Sequence, residues 1–319
     1  MCKLIHRQNF HLLSLVFAEK RRSFRFSSVF LSVLCYLALA MIEAASVSRR
    51  AMLAAMTAAP LSVLAKRNSI PVGLELYSVR DELQKDLPAT LAAVAKQGYE
   101  CVEFFSAYFG WTTAYAKEVR ERLDDLGLKC HSTHNGWPAY QPEGLEKAVE
   151  LNSILGARFI ILASAGDPKS IDGWKHVAVM LNQGDDLFKK SRCRAGYHNH
   201  DLEWRPIDGQ RPIEILAQET DKNVALQLDV GTCIEAGADP VAWIEKNPGR
   251  IRSLHLKDWS PQKGYKVLFG EGVAPWKKIF AAAESAGGVE FYLIEQEGSR
   301  YPEIETADRC LIAFHDIHA

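Results

Sequence analysis

Arg194-Ala195-Gly196-Tyr197-His198-Asn199-His200-Asp201-Leu202-Glu203-Trp204 begins as a strand-like apolar run and ends in imidazoles and carboxylates. Side chains alternate across a strand, so His198 and His200 fall on one face, Tyr197 and Asn199 on the other. Three later segments repeat the design, an apolar run closed by a polar residue. They are Val224-Ala225-Leu226-Gln227-Leu228-Asp229, Ile251-Arg252-Ser253-Leu254-His255 and Phe291-Tyr292-Leu293-Ile294-Glu295. His, Asp, His and Glu thus stand at four neighbouring strand ends. Nitrogen and oxygen ligands of this kind suit a divalent cation such as Mn, Zn, Co or Mg.

Working outward, the same rhythm runs from Ile70 to the C-terminus: a short apolar run, a polar loop, then a helical pattern. The runs are Val72 to Leu76, Cys101 to Phe105, Lys129 to His134, Arg158 to Ala163, Cys193 to His198, Val224 to Asp229, Ile251 to His255 and Phe291 to Glu295. Between them, Leu87, Leu91, Val94 and Ala95 form one apolar stripe. Val119, Leu123 and Leu126 form another, closed by Gly127, and a third through Leu145, Ala148, Val149 and Leu155 ends at Gly156. Further helices are expected over Trp174 to Lys190, Pro212 to Glu219, Pro240 to Lys246, Pro275 to Ala286 and Pro302 to Ile317, several opening on the proline that suits a first turn. Alternating strand and helix predicts a parallel sheet, and eight units in about 250 residues match an α/β (β/α)8 TIM barrel. An open doubly wound sheet would carry a Gly-rich phosphate turn after its first strand; here Glu75-Leu76-Tyr77-Ser78-Val79-Arg80 follows instead. No low-complexity linker interrupts the region, so residues 66–319 read as one domain.

The 319 residues are 48% hydrophobic with a formal net charge of -1, enough to bury a large core. The near-neutral balance gives no electrostatic reason to expect nucleic acid or an anionic membrane as partner. Seven cysteines are too sparse for a disulfide scaffold; Cys101, Cys130 and Cys193 lie in strand-like runs, where a free thiol packs as a small hydrophobe.

Ahead of the barrel, Ser48-Arg49-Arg50-Ala51-Met52-Leu53 precedes an alanine-rich run to Leu64 and a cleavage-like Val63-Leu64-Ala65. This resembles a twin-arginine export signal over residues 47–65, with Met52 and Ala54 where Phe and Lys are common. It implies a periplasmic or exported protein that folds, and can load a metal, before export. Residues 1–46 carry basic residues followed by an apolar run from Val29 to Ile42 that is short for a membrane span. Either translation starts at Met41 and the residues before it lie upstream of the true start, or the segment is an uncleaved anchor.

In a barrel the C-terminal strand ends form the active face. His198, Asp229, His255 and Glu295 then converge as metal ligands, and Asp229 and Glu295 facing each other would repel without a cation. His200 and Glu203, just beyond His198, are candidates to join the shell or move protons. Glu75, Glu103, His134 and Lys257 are further candidates on the same face, with Glu103 costly in an apolar strand unless paired. Lys257, two residues after His255, would neutralise an enolate or carboxylate. Tyr108, Phe109, Trp111, Trp137, Tyr140, Trp204 and Trp259 crowd the loops, and two or three of them are expected to form sugar platforms.

Gly73-Leu74-Glu75-Leu76-Tyr77-Ser78-Val79-Arg80, Gly196-Tyr197-His198-Asn199-His200-Asp201-Leu202-Glu203, Leu228-Asp229-Val230, Ala236-Gly237-Ala238-Asp239-Pro240, His255-Leu256-Lys257-Asp258 and Gly270-Glu271-Gly272 together resemble the sugar phosphate isomerase/epimerase family of xylose isomerase-like TIM barrels. The resemblance implies a divalent metal held by strands five to eight, at His198, Asp229, His255 and Glu295. Epimerases of the family carry Glu where this chain has His198, so a two-carboxylate epimerase mechanism is not carried over. What the resemblance implies is a metal-dependent sugar isomerase/epimerase-type enzyme, or a lyase of the same superfamily, acting on a keto-sugar, cyclitol or 3-keto-glycoside through an enediolate, with Glu295 or Glu203 moving the proton. An exported sugar-binding barrel without turnover is the alternative. A nuclease of the superfamily would need more His ligands and a basic groove. A small carbohydrate is the expected partner, with a homo-oligomer allowed and membrane contact only through the N-terminal segment.

Overall fold

The structure is a computed structural model that describes residues 70–318. The expected N-terminal extension and export signal lie outside the described residues. Eight parallel strands close a barrel in sequence order: β1 (Val72–Glu75), β2 (Cys101–Phe104), β3 (Lys129–Asn135), β4 (Phe159–Leu162), β5 (Arg194–His198), β6 (Ala225–Asp229), β7 (Ser253–Leu256) and β8 (Phe291–Ile294). Each matches its expected run to within two residues at either end.

Helices α1 (Arg80–Lys85), α2 (Leu87–Gln97), α3 (Thr113–Leu126), α4 (Pro142–Leu155), α5 (Ile171–Phe188), α6 (Pro212–Glu219), α7 (Val230–Glu235), α8 (Pro240–Lys246), α9 (Trp276–Ala282) and α10 (Glu303–His318) fill the connections. The expected stripes face inward: Leu91 and Val94 of α2 and Val119 and Leu123 of α3 are buried against the barrel. Gly127 and Gly156 end α3 and α4 with φ of 73° and 81°, the left-handed conformation that glycine adopts without a Cβ penalty. Among the described residues, no helix is long and apolar enough to cross a membrane.

The barrel interior is layered. Cys101, Phe159, Ile161, Ala225, Phe291 and Leu293 make a separate apolar cluster inside it. The strand period of two then lifts Glu103, Gln227 and Glu295 into the next layer, above Cys101, Ala225 and Leu293. Gly73 makes room for this packing, because a Cβ there would stand 2.5 Å from Cys101 Sγ. Cys101, Cys130 and Cys193 are buried free thiols.

Candidate metal centre at the barrel mouth

β5 delivers His198 to the mouth, buried at 2% exposure. Its Nδ1 meets Gln227 Oε1 at 3.0 Å, and the register that pairs His198 with Gln227 puts them side by side. Gln227 Nε2 donates to Glu103 Oε1 (3.1 Å) and Ser253 Oγ (3.1 Å), so its Oε1 is the acceptor and the His198 Nδ1 must carry the proton. The lone pair of His198 Nε2 then faces Asp229 Oδ2 at 3.8 Å.

Asp229 ends β6 and caps α7, its Oδ1 accepting from Thr232 N at 2.9 Å. Its Oδ2 is buried without a hydrogen-bond partner, although Lys257 Nζ lies 3.6 Å away. Lys257 Nζ is also 3.6 Å from Glu295 Oε1 and pairs closely with Glu297. Burial works against the ammonium, but Glu295 and Asp229 outweigh it and hold the Lys257 pKa well above the ordinary lysine value. Burial raises the Asp229 pKa against the pull of Lys257. Burial, reinforced by His255 and His134, holds His198 neutral, the form in which imidazole ligates a metal.

His255 is the hinge of the network. Its Nδ1 lies 2.6 Å from Glu295 Oε2 and its Nε2 lies 2.7 Å from Glu103 Oε2. Burial opposes the charge, yet the two carboxylates push the His255 pKa up to about 10. Against the desolvation that burial brings, Lys257 and His255 hold Glu295 ionised, well below the usual carboxylate range. Across the barrel, His134 Nε2 bonds Gln227 Oε1 at 2.6 Å and stands 3.2 Å from Glu103 Oε2. Its Nδ1 faces Glu75 Oε1 at 3.8 Å.

Three of the four expected ligands share one spot: donor atoms of His198, Asp229 and Glu295 lie within 4.8 Å of one another. His255 bonds Glu295 and offers a donor atom within 4.8 Å of ones of His198 and His134, while each of its nitrogens is engaged by a carboxylate. The donors fit a divalent cation, because an unpartnered buried oxygen opposite a neutral imidazole nitrogen is a gap that a cation fills.

Glu203 departs from the expectation that it moves a proton. It is buried, Oε1 accepts from Tyr197 OH at 2.5 Å and Oε2 from His200 N at 2.8 Å, so it ties the loop to the outer face of β5. His200 is half-buried, its ring centre 4.9 Å from that of His198. Tyr108, Tyr140 and Trp204 are core residues and not sugar platforms. Phe109, Trp111, Trp137 and Trp259 remain half-buried. Trp111 joins Tyr77, Phe105 and Tyr115 around a cavity of about 720 Å³ beside the loops after β1 and β2. Within Gly270-Glu271-Gly272, Glu271 forms an exposed pair with Arg300, while the two glycine amides bond Asp258.

Gln227 escaped the sequence reading. The signal was present, since it precedes Asp229 by two and so shares its face. Glu297, the close partner of Lys257, follows Glu295 by the same spacing.

A closed parallel barrel with buried imidazoles and carboxylates gathered at its mouth defines an α/β barrel of the TIM type. The sequence model of the xylose isomerase-like TIM barrel matches residues 91–310, and the chain belongs to that family. It is similar to an inosose dehydratase of Geobacillus thermodenitrificans, 27% identical over 176 residues, 45% of this chain and 58% of that protein. The chain thus spans under two thirds of the length of this curated relative. Among solved structures, a sugar phosphate isomerase/epimerase from Parabacteroides distasonis superposes with a TM-score of 0.65 at 26% identity, covering 78% of this chain and 95% of that one. The IOLI protein with a bound zinc atom superposes at 0.58 with 13% identity over 76% of this chain and 97% of its own, a likeness of fold alone.

Proposed function

We propose that this protein is a divalent-metal-dependent enzyme that acts on a keto-sugar, cyclitol or 3-keto-glycoside by removing a proton beside the carbonyl. The observation that carries this reading is Asp229 Oδ2, buried, without a partner and facing His198 Nε2 at 3.8 Å. His198, Asp229 and Glu295 would hold the cation, with His255 completing the set once its Nδ1 proton is lost. Bound there, a Mn, Zn, Co or Mg ion supplies Lewis-acid polarisation of a substrate oxygen.

The chain supplies the rest. Lys257 offers an ammonium for the negative charge that develops on the substrate as the enediolate forms. Glu295 is held ionised, the form that accepts a proton, and the Glu103 contact on His255 Nε2 fixes the imidazole that orients it. The half-buried aromatics Trp137 and Trp259 are candidates to stack on an apolar sugar face.

The test is solvent exchange. Metal-loaded protein is incubated with ketoses and 3-keto-glycosides in D2O, and deuterium incorporation is followed by NMR. Exchange that Asp229→Asn abolishes supports the reading; a cation bound with no exchange or consumption across the panel supports the sugar-binding alternative. We also propose export by residues 47–65, which N-terminal sequencing of the periplasmic protein checks: a start near Lys66 is expected.

A further inference from the structure

The described residues contain two buried carboxylate oxygens without a hydrogen-bond partner, Asp229 Oδ2 and Glu75 Oε1. Only the first belongs to the centre described above. The second shows the same signature. Glu75 ends β1 with no exposure, its Oε2 taken by Tyr77 N, while its Oε1 faces His134 Nδ1 at 3.8 Å. Gln227 Oε1 accepts from His134 Nε2 at 2.6 Å, so that nitrogen carries the proton and Nδ1 presents a lone pair. Two acceptors therefore face each other across 3.8 Å of buried space, as they do at His198 and Asp229. Two atoms each about 2.1 Å from one cation stand about 3 to 4 Å apart, which matches this gap.

Charge points the same way. Lys257 is shared by Asp229, Glu295 and Glu297, and His255 lies between Glu295 and Glu103. Among the described residues Glu75 has no Lys or Arg within ion-pair reach, so its buried carboxylate lacks the ammonium that Asp229 and Glu295 share in Lys257. Donor atoms of Glu75, Glu103 and His134 lie within 4.8 Å of one another.

We infer that Glu75, Glu103 and His134, at the ends of β1, β2 and β3, form a second divalent-cation site across the mouth from His198, Asp229 and Glu295. Two carboxylates and one imidazole suit Mn or Mg, and three protein ligands leave positions for water or substrate oxygens. The two sites are linked by His255, which bonds Glu295 of one and Glu103 of the other. The inference goes beyond the proposed reaction and is tested apart from it.

The experiment counts Mn2+ on the metal-stripped full chain, by equilibrium titration with EPR detection of free Mn2+. Two ions per chain are expected, with spin-coupled signals from the neighbouring pair. Glu75→Gln keeps an acceptor for Tyr77 N, and should weaken the second ion by about 10-fold to 100-fold while leaving one tight ion. Asp229→Asn should remove the first ion and leave the second. The retained ion in each variant shows that the barrel has folded. One ion on the unchanged chain, or two on Glu75→Gln, overturns the second site. No ion at all overturns the first site as well, so the two readings fail distinguishably.

Discussion

Gln227 Oε1 lies 3.0 Å from His198 Nδ1, and through that bond a neutral amide sets which imidazole nitrogen is free to ligate. The same oxygen accepts from His134, and the amide nitrogen is anchored on Glu103 and Ser253. Gln227→Met keeps the volume and removes the acceptor. Calorimetric Mn2+ titration should then show affinity at the His198 centre falling by about 10-fold to 100-fold, with the fold intact by circular dichroism. Unchanged affinity would mean that the amide does not set the tautomer.

Glu295 and Glu203 are separated by their partners. Glu295 meets Lys257 and His255 at the mouth, whereas both Glu203 oxygens are spent on Tyr197 and His200. Glu295→Gln should slow substrate deuterium exchange by about 100-fold or more. Glu203→Gln should instead lower unfolding stability by about 1 to 3 kcal/mol, because one of two buried donors loses its acceptor. Exchange lost in Glu203→Gln at unchanged stability would return the proton transfer to that residue.

The barrel was legible because each strand carries its own period and each polar end falls where a run stops. What stayed hidden depended on pairing across space. Gln227 shares the face of Asp229 in the sequence, but that it links His198 of β5 to His134 of β3 shows only in the closed barrel. Glu203 reads as a loop carboxylate until the loop folds back onto Tyr197, which faces away from His198. Helix α7 leaves no stripe in the sequence, because Asp229 both ends a strand and caps a helix of only six residues. No pattern in the chain could say that His255 would spend both nitrogens on carboxylates.

His131 offers a pH test remote from the mouth. Its ring lies 5.1 Å from that of Phe291, and burial, aided by Arg158, lowers its pKa to about 4. The unfolded chain binds this proton below about pH 6.5 and the folded chain only near 4. The stabilising effect of the neutral ring is therefore complete above about 6.5 and is lost as pH falls toward 4. Denaturant unfolding of the unchanged chain and of His131→Gln should diverge across that window, the variant showing a pH slope smaller by about one proton. Parallel slopes would refute the shift.

Asp258 explains why Lys257-Asp258 and Gly270-Glu271-Gly272 occur together. Its carboxylate accepts from Gly270 N (2.9 Å), Gly272 N (3.1 Å) and Trp276 Nε1 (2.9 Å), latching the loop after β7 onto the start of α9. A Cβ on Gly272 would run into that carboxylate, so glycine is required by close approach and not by turn geometry. Asp258→Ala strands these donors and should cost about 3 kcal/mol or more. Gly272→Ala should destabilise in the same direction, and because both act on one latch, the double variant should lose less than the sum of the single losses. Strict additivity in chemical unfolding would show that the two residues act independently and that no single latch joins them.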